Sequence, residues 1–515
     1  MVRPFFRSAG LGFAMKQQRF SSILRVTLLA LSPWLGGPLF GAEPNLPRAT
    51  PESQGVSSVA LREFLDRADR DIQHLHSLML VRRGQVITEA WWAPYHPQGR
   101  HSLFSLSKSF TSTAVGIAIA EGKLRLDDPV LAAFPGQGPA EPSNNLKAMR
   151  LSDLLRMNTG QQTEPPRPPQ GSWVESFLAH PVPFKPGTHF HYNTSATYLA
   201  SAMLQRATGE TLLDYLKPRL FDPLGISGQT WELSPEGIST GGYGLSVRTE
   251  DIAAFGQLYL QRGEWRGQQL VPASFVDEAT ARQTSNGSNP ASDWDQGYGY
   301  QFWRCRHGAY RGDGAFGQYC VVLPEQQAVI AITSGVRDMQ QVLNLLWDHL
   351  LPHLGDKPLP ESPGDQRALT ALARQLELPH PPAVGKPAEA WGRTYHFPEN
   401  SRQLTALTLE RPAEDAAGRL GVLRLQQGGA EQRWELGDQR WVAGESAWGR
   451  QGKQPSASSA AWTGPEELTI RTCFHETPFV LSLKLRFAGG EVTVDSEWNV
   501  GFGPTRDQPL TGRVQ

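Results

Sequence analysis

Two hydrophobic periods alternate along this chain. Residues 76–92, HSLMLVRRGQVITEAWW, set two apolar runs about a polar Arg-Arg-Gly, which predicts a β-hairpin. Residues 105–120, SLSKSFTSTAVGIAIA, are small and apolar almost all round, so they predict a helix enclosed within a domain. Helical spacing recurs at LSDLLRM, SATYLASAMLQRATG and TEDIAAFGQLYLQRG. Strand patterns return at GYGYQFWRC, QYCVVLP and AVIAITSG before an amphipathic helix, MQQVLNLLWDHLL. Strands at both ends with helices between predict a mixed sheet whose first and last strands meet, an α+β arrangement.

The pattern changes after Leu354. DKPLPESPGDQ and LPHPPAVGKP are proline-rich connectors around a short helix, ALTALARQLE. Beyond them FVLSLKLRF alternates apolar with polar residues and Ala-Gly-Gly turns it into EVTVDSEW, the signature of a small all-β unit. The expected organisation is a main domain over 43–356, a linker over 357–387 and a β-barrel or β-sandwich over 388–515. Trp434, Trp441, Trp448, Trp462 and Trp498 of the last part either line a ligand groove or form its core, the commoner use of tryptophan in small β domains.

At the amino end Arg19 and Arg25 precede LLALSPWLGGPLFGA, which closes on Gly41 and Ala42. Residues 1–42 are therefore expected to be a secretory signal peptide, and the protein periplasmic or secreted. Pro33, Gly36, Gly37 and Pro38 break the run, so no stable membrane span is expected once it is cleaved. Phe40 suits cleavage poorly and leaves an uncleaved anchor as the alternative.

Composition narrows the function without naming it. A chain of 515 residues with 39% hydrophobic and 19% charged residues is long enough for more than one core. Its formal charge of -1 offers nothing to nucleic acid or an anionic membrane, which leaves a small organic substrate as the default partner. Cys305, Cys320 and Cys473 are too few for a disulfide scaffold and read as core thiols, although export permits one Cys305–Cys320 bond.

The chemistry begins with Ser105 and Lys108, three places apart and so on one face of a helix. Lys108 lies among Phe104, Leu106 and Phe110, where burial and the positive end of the helix dipole both disfavour an ammonium. A neutral amine so placed accepts the proton of the serine hydroxyl, the logic of an activated nucleophile. Two further segments bear on this pair. FKPGTHFHYNTSATYLA brings Tyr192 to the start of a small-residue helix, and YRGDGAFGQYCVVLP is a glycine-rich strand on which an exposed N–H can serve an oxyanion.

In this order, SLSKSFTS, PGTHFHYNTSATYLAS, STGGYGLSVRTEDIAAFGQLYLQRG and RGDGAFGQYCVVLP resemble the serine β-lactamase-like superfamily over about residues 50–352. That superfamily includes class C β-lactamases, penicillin-binding proteins, esterases and amide hydrolases of the 6-aminohexanoate-dimer hydrolase kind. The resemblance implies an antiparallel sheet flanked by helices plus a helical region, with Ser105 as the acylated nucleophile, Lys108 as its base and Tyr192 as the second acid/base group. It implies an oxyanion hole from the N–H groups of Ser105 and Ala315. Substrate contacts are expected from Asn193, Thr194, Gly312, Asp313 and Gly314, with Trp173 walling an acyl pocket or packing in the core, and Tyr243 in a Gly-Gly-Tyr-Gly loop at the cleft or in a plain turn.

Two departures from the class C pattern shape the expected reaction. Thr194 replaces the asparagine of Tyr-x-Asn, and Gly312-Asp313-Gly314 stands where a cationic Lys-Thr-Gly would hold a β-lactam carboxylate. Strand alternation should aim Arg311 away from the site shared with Gly312. The expectation is an ester or amide hydrolase acting on weakly charged acyl groups, with no cofactor and no metal; the alternative is a penicillin-recognising sensor, or a weak β-lactamase or D,D-peptidase. Gly312–Gly317 matches a dinucleotide fingerprint only formally, because a strand and not a helix follows it. The pairs His74/His76 and His189/His191 lack a third ligand.

Overall fold

A computed structural model of the protein describes residues 46–385, 389–413, 417–449 and 451–514. The expected signal peptide lies outside these residues. Among the described residues no helix is long and apolar enough to cross a membrane.

The hairpin forms as predicted from β1 (Leu75–Arg82) and β2 (Gln85–Trp91). Four later strands complete the sheet: β3 (Trp303–Arg304), β4 (Tyr310–Gly314), β5 (Gln318–Leu323) and β6 (Ala328–Ser334), in the order β2-β1-β6-β5-β4-β3. The first and last strands do meet, with Leu78 opposite Ile332 and Val81 opposite Val329. Every pairing is antiparallel, as the resemblance implies and unlike the mixed sheet suggested by the order of elements: the strands are consecutive hairpins or meet end to start, and none needs a parallel crossover.

Helices cover both faces, which is why the strands are almost uniformly apolar. Leu78, Leu80, Tyr319, Val321 and Ile332 face α1 (Ser58–Asp71), α5 (Met339–His349) and α6 (Pro363–Gln375). Met79, Val81, Cys320, Val322 and Val329 face a second core around α2 (Ser107–Ala120), α3 (Thr194–Thr208) and α4 (Thr249–Leu260). The segment GYGYQFWRC is a strand only at Trp303–Arg304. Its earlier part bends at Gln301, φ 63°, whose buried side chain donates to the carbonyls of Leu154 and Leu155 at 3.1 and 2.7 Å. Tying down that helical turn won over strand propensity. All three cysteines are free and buried, as core thiols.

Ten strands from Thr394–His396 to Leu510–Val514 form the carboxy-terminal sheet. It closes on itself because Ala430–Asp438 pairs in parallel with Gln451–Gly464, Gly437 opposite Ser459. That closure makes it a barrel and not a sandwich. Trp434, Trp448 and Trp462 are buried with Leu407, Leu423 and Leu483 in its core, while Trp441 and Trp498 are half-buried. The barrel packs with the rest as one unit after Glu43. Ser102 N–H donates to the Glu476 carbonyl at 2.8 Å, and Asn499 Nδ2 donates to the Gly335 carbonyl at 2.9 Å.

Beside this seam lies a buried trio that the sequence paired differently. His76 Nδ1 is 3.1 Å from Nε2 of His101, not beside His74 in a ligand pair, and Tyr95 stacks on His76 at 3.8 Å. Burial lowers the pKa of His101 to about 4 and that of His76 well below its usual value. Both are thus neutral when folded, whereas the unfolded chain takes up protons below about pH 6.5, so stability is full above that pH and falls as pH drops toward 4. Melting temperatures should fall over that window, with a shallower slope in His76→Gln; equal slopes in a circular-dichroism series would remove the trio from the account.

Candidate active site

The segment that carries Ser105 is built by close packing. His101–Ser102 pairs with Leu245–Val247, and Leu103 is buried. The chain then turns through Phe104 at φ 46° into a 3-10 turn, Phe104–Leu106, that leads directly into α2. A phenylalanine in the left-handed region costs about 1–2 kcal/mol and persists only where its surroundings impose it, as at functional sites. β4 presses against this turn: a Cβ on Gly314 would stand 2.0 Å from the Leu103 carbonyl oxygen, and one on Gly312 would stand 2.4 Å from Leu106. These glycines therefore seat the strand on the segment that carries Ser105. Gly314→Ala should destabilise the fold by about 1–3 kcal/mol through overpacking, read as a lower melting temperature; an unchanged value would mean that β4 sits further off.

Lys108, 1% exposed, projects one turn along α2. Its Nζ is 3.0 Å from Ser105 Oγ, donates to the Gly242 carbonyl at 2.8 Å and lies 5.0 Å from the centre of the Tyr192 ring. Burial is the main cause that lowers its pKa to about 7; Glu164 and Asp313 oppose that and Arg167 adds to it. Near neutral pH a large fraction of Lys108 is a free amine. The Gly241-Gly242 turn borders the cleft and is more than a loop: a Cβ on Gly242 would stand 2.5 Å from Thr194 Cγ2 and 3.5 Å from Lys108 Nζ.

Tyr192 is held by the start of α3. Its ring stacks on Trp303 at 5.3 Å and lies 5.0 Å from Lys108 Nζ, the group that touches Ser105 Oγ. Burial, with the nearby charge of Asp313, raises the phenol well above its usual range, so it is a neutral donor at physiological pH. Ser105, Lys108 and Tyr192 are therefore brought together.

The other expected contacts divide. Asn193 is fully buried, caps α3 by accepting from Ala196 N–H at 3.1 Å and donates to Gln161 Oε1 at 2.8 Å, so its role is structural. Trp173 is core: 8% exposed, edge-on to Tyr198 at 5.0 Å, its indole donating to the Pro168 carbonyl. Asp313 is ion-paired with the fully buried Arg311 at 2.8 Å and accepts from its Nε at 3.0 Å, which spends its charge inside the protein. Thr194 and Tyr243 stay at the cleft, half-buried, the Arg167 guanidinium lying 5.4 Å over the Tyr243 ring. Ala315 begins the turn directly after β4. Sequence reasoning passed over Glu164 and Arg167, 3.2 Å apart, because they sit in a proline-rich run without periodicity.

A family model described as Beta-lactamase matches residues 68–347. The chain is 24% identical over 318 residues to the 6-aminohexanoate-dimer hydrolase of Paenarthrobacter ureafaciens, covering 56% of this chain and 80% of that protein. It is 27% identical over 173 residues to a D-aminopeptidase of Brucella anthropi (strain ATCC 49188), covering 31% of this chain and 33% of that one. The chain spans only about half of an Escherichia coli (strain K12) relative, 54% of its length at 23% identity and 40% of this chain. The octameric penicillin-binding protein homologue from Pyrococcus abyssi aligns at a TM-score of 0.47 and 16% identity, over 88% of this chain and 99% of that one.

Proposed function

This chain belongs to the Beta-lactamase family, whose model spans more than half of it, and from that premise we propose that it cleaves an ester or amide bond through an acyl-enzyme on Ser105. The observation that carries this reading is the buried Lys108 amine 3.0 Å from the Ser105 hydroxyl, with a pKa near neutrality. The relatives named as hydrolase and peptidase support the class of reaction.

In the proposed sequence, Lys108 Nζ accepts the hydroxyl proton as Ser105 Oγ attacks the acyl carbon. The N–H groups of Ser105 and Ala315 receive the developing oxyanion. Collapse breaks the bond to the leaving group, which takes a proton by way of Lys108 and the Tyr192 hydroxyl. Water then attacks the acyl-enzyme, giving its proton to the same pair and releasing the acid and free Ser105. Arg311 is occupied by Asp313 and the carbonyl of Asp293 at 2.7 Å, which leaves no cation on β4 for a substrate carboxylate. A missing charge-assisted contact of about 1.5–3 kcal/mol favours uncharged acyl groups over β-lactams.

The test is labelling by a fluorophosphonate together with turnover of short-chain p-nitrophenyl esters. Tyr192→Phe should keep the fold and lose about a hundred- to ten-thousandfold in kcat, the range for a positioned acid/base group. Labelling without turnover would replace the hydrolase by a sensor, and neither would end the proposal.

A further inference from the structure

The barrel raises a separate question through its aromatic residues. Phe104 directly precedes Ser105, and Phe316 directly follows Ala315. Both keep left-handed backbone, φ 46° and 68°, which a bulky residue adopts only under constraint. Their rings meet edge-on at 5.5 Å. Two barrel residues join them: Phe479 lies 6.3 and 5.8 Å from Phe104 and Phe316, and Phe502 lies 5.8 and 4.8 Å from the same pair.

This is not a core. Phe104, Phe316 and Phe479 are half-buried, and Phe502 is 79% exposed. Four aromatic rings left in contact with water form the kind of patch that marks a binding surface. They adjoin a depression of about 520 Å³ lined by Ala315, Phe316, Val336, Met339, Val500 and Phe502. Arg337 at its rim is committed, donating to the Asn499 carbonyl at 2.8 Å and to Thr505 Oγ1 at 3.0 Å. Those bonds also fasten the loop that carries Phe502.

Position decides which part of a substrate meets this wall. The leaving group needs a proton and so lies toward Lys108 and Tyr192. Tyr192 packs on Tyr298 and Trp303, and shares no ring contact with the four phenylalanines among the described residues. The wall therefore begins on the other side of the acyl carbon, at the residues next to both oxyanion donors.

We propose that Phe104, Phe316, Phe479 and Phe502 form an acyl-side subsite for an aromatic or branched apolar substituent, so that the barrel completes the active site. None of the four carries charge, and a charged acyl substituent is excluded by desolvation. This rests on Ser105 as the acylated nucleophile.

The experiment compares kcat/KM for p-nitrophenyl phenylacetate and p-nitrophenyl acetate in the full chain and in Phe502→Ala, an exposed position whose loss should not disturb folding. The native chain should favour phenylacetate at least tenfold, and Phe502→Ala should lower that ratio roughly five- to twentyfold, the scale of one lost aromatic contact. Fluorescence titration with N-phenyl-1-naphthylamine, which needs no turnover, should show weaker binding in the same variant. An active enzyme whose ratio does not move overturns the subsite and leaves the Ser105 reading standing. Probe binding lost with Phe502 in a chain that cleaves neither ester keeps the aromatic site and overturns the Ser105 reading. Unchanged probe binding in an inactive chain overturns both.

Discussion

Ser105→Ala is expected to lose all fluorophosphonate labelling and about four to six orders of magnitude in kcat, because a nucleophile and its base act as one unit and removal of either leaves only binding and the oxyanion donors. Adding Lys108→Ala to it should cost almost nothing more. Additive losses would mean that the two side chains work in separate steps, and residual labelling of Ser105→Ala would place the nucleophile elsewhere. The substitution itself is mild: Ser105 is half-buried in a 3-10 turn, and its loss removes no buried packing. Unchanged circular dichroism should therefore accompany the lost activity.

Lys108→Ala is the second large effect, about three orders of magnitude or more in kcat/KM, and it carries a pH signature that a structural lysine would lack. In the proposed mechanism the amine form is the active one. Activity should thus rise with pH through a limb near 7, the pKa that burial imposes, and reach a plateau above it. Lys108→Arg should not rescue, since a guanidinium stays charged at any usable pH. Stability moves in the same window for the same reason. Unfolded lysine titrates near 10.4, so between about pH 7 and 10 the unfolded chain binds one more proton than the folded one, and stability rises with pH. Lys108→Met should be more stable than the native chain at neutral pH, with an advantage that shrinks toward pH 10. A native profile flat from pH 6 to 8, or a Lys108→Met chain that melts lower at pH 7, would show that the lysine is not a buried neutral base.

The legible part of the active site was the part encoded in local spacing. Ser105 and Lys108 could be paired because three residues of helix place them on one face, and the apolar neighbours of Lys108 announced its burial. Tyr192 was found by its place at the mouth of a small-residue helix. Asn193, Trp173 and Asp313 carry the right chemical groups for substrate, yet their groups are spent on Ala196 and Gln161, on Pro168 and on Arg311. Only Gln161 is distant in sequence; Ala196, Pro168 and Arg311 lie within five residues, so the cap on Ala196 and the Arg311–Asp313 pair on one strand face were legible locally. His76 finds its partner in His101, 25 residues on, which local spacing does not report.

Periodicity and composition thus determined most of the elements, the order in which they come, the Ser105–Lys108 pair and the α+β class with an all-β end, because each depends on residues within about two helical turns of one another. Sheet direction, barrel closure and the joining of Phe479 and Phe502 to Phe104 and Phe316 were decided only by tertiary structure. The phenylalanine contacts bridge 163 to 398 residues, and even the barrel closure, which joins Gly437 to Ser459, is selected by the burial of whole faces, a quantity that no single stretch of sequence contains.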